Sequence, residues 1–123
     1  MRHRPAVQFA LAEAEASLRA SRLLFYEALT ATWKRALANE SPTLEQRADL
    51  MLAGAHAVRA SAHVADLMHR MGGSHGIYER SRLERHFRDA QTVRHHGFLS
   101  ESRLETVGQV YLGVEPEFGF VAF

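Results

Sequence analysis

The 123 residues leave room for one domain with one modest core, and a composition 46% hydrophobic and 24% charged is that of an ordered globular chain. Fifteen basic against fourteen acidic residues give a formal charge of +1, which argues against nucleic acid or a membrane surface as partner. The absence of cysteine excludes disulfides, cysteine-based zinc sites and thiol nucleophiles. No stretch is apolar enough to act as a secretory signal core or to span a bilayer, so the expected location is cytoplasmic.

Residues from about Ala6 to Ala38 contain neither Gly nor Pro and are dense in Ala, Leu, Glu and Arg, all strong helix formers. Val7, Leu11, Ala14, Leu18 and Phe25 recur at helical spacing, with Ser21 at the remaining step. They predict an apolar stripe on a first helix roughly 45 to 50 Å long. Asn39 to Thr43 is a break. Ser41 followed by Pro42, or equally Thr43 with Gln46 as a capping box, predicts the start of a second long helix from about Thr43 to Met71. That helix carries Ala53, Ala55, Ala57, Ala60, Ala62 and Ala65. Small side chains admit close neighbours, so it is expected to be central.

Gly72 and Gly73 end the second helix, Gly72 suiting a left-handed cap. Ser81 and Glu84 have capping-box spacing and open a third helix to about His96, where Gly97 stops it. Ser100 or Ser102 caps a shorter fourth helix to about Leu112, Ser102 and Glu105 again having capping-box spacing. The tail carries Phe118, Phe120, Val121 and Phe123, an apolar set expected to dock on this bundle or on a neighbouring subunit. The predicted fold class is therefore all-α, a bundle of two long antiparallel helices plus one medium and one short helix, forming a single domain over 1–123. Two helices of this length cannot cover both flanks with such short partners, so a homo-oligomer or a partner chain is expected.

Chemistry concentrates on the third helix. Arg85, Asp89, Thr92 and His96 fall on one helical face, while Leu83, Phe87, Ala90 and Val93 fall on another, on a helix the bundle is expected to bury. Arg85, Arg88 and Asp89 read first as structural ion pairs, with Glu84 and Arg88 in the favourable order for a helical pair. His96 stands at the helix end, where a side chain either projects into a cleft or interacts with the helix dipole. The Gly72-Gly73-Ser74-His75-Gly76 loop follows no strand and lacks dinucleotide-fingerprint spacing. It reads as a tight interhelical turn, or as backbone that approaches an anionic group. The eight histidines show no HxxxH, HExxH or ExxH spacing, so no metal site is expected.

The run Met71-Gly72-Gly73-Ser74-His75-Gly76-Ile77-Tyr78, followed by Ser81-Arg82-Leu83-Glu84-Arg85-His86-Phe87-Arg88-Asp89-Ala90, resembles the C-terminal helical domain of the acyl-CoA dehydrogenase superfamily. There a small-residue helix ends in a double glycine and an L-E-R-x-x-R-D helix follows. The likeness extends to Pro5-Ala6-Val7-Gln8, to Leu104-Glu105-Thr106-Val107-Gly108 and to Leu112-Gly113. It is greatest to the flavin-dependent monooxygenase branch, which hydroxylates aromatic or heterocyclic substrates. Dehydrogenases often carry a catalytic Glu in a Glu-Gly-Thr run after the Arg-Asp pair, and here Gly97 stands at that position with no Gly-Thr after it. Monooxygenase members place a His where this chain has His96.

The resemblance implies a flavin, FAD or FMN, and a small-molecule substrate. It makes His96 the catalytic side chain and brings Gly72, Gly73 and Ser74 against a flavin held mainly by another subunit. The sequence shows no counterpart of the family's N-terminal helical domain, of its middle β domain, or of the first bundle helix with its R-x-x-F-G flavin contact. The expectation is thus the C-terminal helical part of a flavin-dependent oxidoreductase of monooxygenase type, not active alone. The alternative is a non-catalytic helical module for oligomerisation or regulation.

Overall fold

The computed structural model describes residues 2–73 and 81–116. They form four helices in chain order, α1 (Pro5–Leu37), α2 (Leu44–Gly72), α3 (Arg82–Val93) and α4 (Arg103–Tyr111), with no strand among the described residues. The all-α bundle expected from the sequence is the fold observed. Pro5 sits in the first turn of α1, where its missing N–H costs nothing. At the other end Asn39 takes a left-handed φ of 57°, which its short polar side chain tolerates. There the Glu40 amide donates to the Arg35 carbonyl at 2.9 Å, and Arg35 reaches the Ser41 carbonyl through Nε at 2.9 Å and Glu40 at 3.1 Å. The reversal is short and well satisfied. Of the two possible starts for α2, the structure uses Thr43. The Gln46 amide donates to Thr43 Oγ1 at 3.2 Å, while the Thr43 amide donates to Gln46 Oε1 at 3.0 Å.

α1 and α2 lie antiparallel, as Ala14 near the start of one meets Val64 and Leu67 near the end of the other, with Leu18 and Met68 flanking. α2 is central: α1, α3 and α4 each pack on it and, among the described residues, not on one another. Its alanines make this possible. Ala48, Ala53 and Ala55 are fully buried, and Ala60 and Ala62 nearly so. Close backbone approach replaces large interlocking side chains, and among the described residues no large side chain is completely enclosed.

The buried line on α1 runs through Ala10, Ala14, Ser21 and Ala28. The periodicity predicted its direction, and Ser21 does occupy the expected step, its hydroxyl donating to the Leu18 carbonyl at 3.0 Å. Leu11 differs from expectation, being 59% exposed. The alanine seam of α2 lets α1 settle on its small residues, so the larger ones are left at the flank. Phe9, Leu23, Tyr26, Trp33 and Leu37 are all more than half exposed. Among the described residues no helix is long and apolar enough to cross a membrane.

α3 and α4 are held differently. α3 has no buried residue, contrary to the expectation that the bundle would enclose it. Ser81 and Ser102 precede the two helices but make no side-chain cap bond, so the capping boxes expected there do not form. At Ser102 the cause is visible: its backbone is already helical, and a cap needs an extended residue. α4 buries Thr106 and Val107, and the Tyr111 hydroxyl donates to Asp49 of α2 at 2.6 Å. Desolvation, together with that bond and the Asp49 charge, pushes the phenol up to about 12. The tail with Phe118, Phe120, Val121 and Phe123 lies outside the described residues.

Candidate functional site

Two interdigitations seat α3 and the turn after it on α2. At the N-terminal end, a Cβ added to Gly72 would meet Leu83 Cδ1 at 2.7 Å, so Leu83 occupies the room the glycine leaves. One turn on, the Phe87 ring stacks on His69 of α2 with centroids 4.6 Å apart and planes 24° from parallel. Gly72 is the last residue of α2, and Gly73 carries the positive φ, +55°, that turns the chain. The cap therefore falls one residue later than the double glycine suggested. Gly73 is exposed, with open space where a Cβ would stand. Ser74, the third residue of the expected cofactor loop, lies outside the described residues.

The charged residues of α3 pair along their own helix. Arg88 lies 3.6 Å from Glu84, and Arg85 lies 3.7 Å from Asp89. Arg85, Arg88 and Asp89 are well exposed, so these are weak surface pairs rather than struts between helices. Thr92 donates to the Arg88 carbonyl at 2.9 Å, and α3 ends at Val93, three residues before the expected end. His96 is thus on a turn, not on the helical face of Arg85 and Asp89. Its carbonyl accepts from the Leu99 amide at 2.9 Å, its imidazole is exposed, and the Phe98 ring stands 6.0 Å away at 38°.

The double glycine and His96 are associated with opposite ends of α3: Gly72 meets Leu83 near its start, and His96 stands on the turn beyond Val93. The twelve residues of α3 at about 1.5 Å each make it about 18 Å long. A polar cleft of about 560 Å³ lies between α1, α2 and the end of α3, lined by His56, Arg59, His63, Gln91, Arg94 and Glu101 among others. His96 is not part of it. Among the described residues no group of three or more His, Asp or Glu side chains could hold a metal ion.

A helix closed by glycines, a following helix with Leu83 and Phe87 turned inward and its charges outward, and a histidine on the next turn form one arrangement. Residues 1–101 match the acyl-CoA dehydrogenase C-terminal domain. The chain belongs to that family. Two curated relatives share the resemblance over nearly all of the chain. An indole-3-acetate monooxygenase of Pseudomonas putida is 35% identical over 118 residues, covering 96% of this chain and 30% of the relative. An indole-3-acetate monooxygenase of Acinetobacter baumannii is 31% identical over 119 residues, covering 97% of this chain and 31% of the relative. The chain therefore spans about 30% of the length of the curated relatives it matches.

Sequence reasoning placed Leu83 and Phe87 on the inward side of α3, where they meet Gly72 and His69. It missed Gly54, whose absent Cβ would lie 2.9 Å from Leu99 Cδ2. The signal was present: a lone glycine inside an alanine-rich helix costs about 1 kcal/mol relative to alanine, so its position marks a place to look for close packing.

Proposed function

We propose that the chain is the helical C-terminal part of a flavin-dependent monooxygenase acting on a planar aromatic or heteroaromatic acid, and that it is not active alone. One observation supports this most. α3 is seated on α2 by Leu83 and Phe87, and it delivers an exposed imidazole, His96, on the turn beyond its end. The names of the two relatives give the substrate class.

The residues present fit one edge of a flavin site. Gly73 offers exposed backbone with nothing within 4 Å of its Cβ position among the described residues, and Gly72 precedes it in the chain. α3, about 18 Å long, runs between the contact of Leu83 with Gly72 and the turn of His96, so the two ends of α3 serve different parts of an extended cofactor, or cofactors of different copies. A bound flavin would supply the redox chemistry. This chain supplies an imidazole that holds or moves a proton at its ring nitrogens, and glycine backbone that admits the cofactor closely. Walls that exclude water have to come from other parts of the protein or another copy, as His96 is open to solvent here.

The test is His96→Ala in the protein as its gene encodes it. Loss of general acid–base help lowers kcat by roughly 10²- to 10⁴-fold with flavin content unchanged. Unchanged turnover sinks the proton role. A second reading, a non-catalytic oligomerisation module, is favoured by the stripe of Tyr26, Leu29, Trp33 and Leu37 along α1, exposed among the described residues. Flavin bound stoichiometrically by the purified oligomer removes it.

A further inference from the structure

α2 contains one glycine in its interior, Gly54, and it is buried. A glycine costs a helix stability relative to alanine, so a buried one amid alanines calls for a steric cause. The cause is Leu99. Its Cδ2 sits 2.9 Å from where a Gly54 Cβ would stand, so the two cannot coexist without a shift of Leu99.

Leu99 closes the turn that presents His96. Its amide donates to the His96 carbonyl at 2.9 Å. The same segment is knitted to itself by Arg94 to Glu101 at 2.8 Å and by Arg103 Nε to the Gly97 carbonyl at 2.7 Å. A segment braced in this way moves as a unit. Leu99 is the side chain that plugs it into the central helix. Leu83 against Gly72 does the same at the far end of α3, so α3 and its turn are pinned at two glycine notches.

We propose that Gly54 and Leu99 are a positioning pair for His96: the notch in α2 sets where the imidazole stands relative to the substrate. This rests on the proton role of His96 argued above. Neither residue touches the reaction, and both act through the turn. A methyl at position 54 is accommodated by retreat of Leu99, and because the segment is braced on itself the retreat carries the turn with it. The fold survives while the turn is displaced, and displacement of this order in a reacting geometry is costly.

The experiment compares Gly54→Ala, Leu99→Ala, their double variant and Gly108→Ala in the protein as its gene encodes it, with histidine ring carbons labelled. Gly108 is a helical glycine of α4 with nothing within 4 Å of its Cβ position, so it controls for glycine replacement itself. The His96 resonance is assigned by its disappearance in His96→Gln. In Gly54→Ala that resonance shifts, and kcat falls on the order of 10- to 100-fold with KM within about twofold and no loss of thermal stability. The double variant, in which a smaller residue 99 meets the new methyl, moves both back toward the native values. A His96 resonance that stays in place in Gly54→Ala, or that moves equally in Gly108→Ala, overturns the proposal. If His96→Gln itself leaves turnover intact, the proton role falls, and the resonance alone still decides whether the notch holds the imidazole.

Discussion

The α1–α2 hairpin and the α3–α4 segment are built on opposite principles. The hairpin has a reciprocal capping box, a hydrogen-bonded reversal and a long seam of buried alanines. The α3–α4 segment has no side-chain caps, no buried residue in α3 and a few discrete attachments: Leu83 at Gly72, Phe87 on His69, Leu99 at Gly54 and Tyr111 on Asp49. A distributed seam resists local opening, whereas a segment on few pegs opens first. The candidate chemistry sits on the pegged segment. The difference teaches that stability and presentation of the candidate side chain, His96, are assigned to different segments, with α2 as the common reference.

The sharpest break of that contrast is to overfill the seam. Ala53→Leu, at a position with no exposure, forces α1 and α2 apart and lowers unfolding stability by about 3 kcal/mol in a urea titration. If it is tolerated, the seam is not the close-packed element described here. Removing a peg has a smaller and more local effect. Leu83→Ala costs about 1–2 kcal/mol, below the usual range for a core leucine because Leu83 is half-buried. Hydrogen exchange should quicken in α3 while the middle of α2 stays protected, and equal loss in both would merge the two regions into one cooperative unit.

The local devices rank next. Thr43→Ala removes one half of the capping box and costs about 1 kcal/mol, read as a lower denaturation midpoint with an unchanged slope. At α4 the test is alkaline pH. The Tyr111 phenol is raised from 10.0 to about 12 in the fold. A raised value means the folded state favours the protonated form. The stabilisation is complete below pH 10 and is lost as pH rises from 10 through about 12. Tyr111→Phe removes that part of the alkaline dependence, monitored by exchange of α4 amides. The smallest effect belongs to the exposed Arg19–Glu15 pair at 2.8 Å, where Arg19→Gln changes stability by less than about 0.5 kcal/mol. A larger change would show that surface charge, rather than the alanine seam, carries the hairpin.

The hairpin was legible because its signals are local. Helix-forming runs, the Thr43–Gln46 spacing and the alanine content of α2 specified the two long helices to within a residue or so, and they specified which would be central. The same reasoning placed Leu83 and Phe87 inward on α3 by their spacing. It failed where a local pattern had a rival. Ser81 and Ser102 have capping-box spacing, but Ser102 is already helical, and neither side chain forms the bond. Leu11 fits the α1 stripe by period but is 59% exposed, the inward places going to Ala10 and to Ala14, which packs with Val64 and Leu67. Gly97 looked like the stop for α3. The chain leaves the helix at Val93, and the turn beyond it is pinned where Leu99 finds Gly54, 45 positions away in the sequence.

The sequence by itself determined the helix class, the central role of α2, the family motif and the candidacy of His96, since each rests on periodicity, composition or a contiguous run of residues. Only the tertiary structure decided that α3 rides on the surface, with the double glycine near its start and His96 on the turn beyond its end. It alone revealed that two glycine notches pin the connecting segment. The physical reason is steric. A missing Cβ is invisible as a contact until the side chain that fills its space is known, and that side chain comes from elsewhere in the chain.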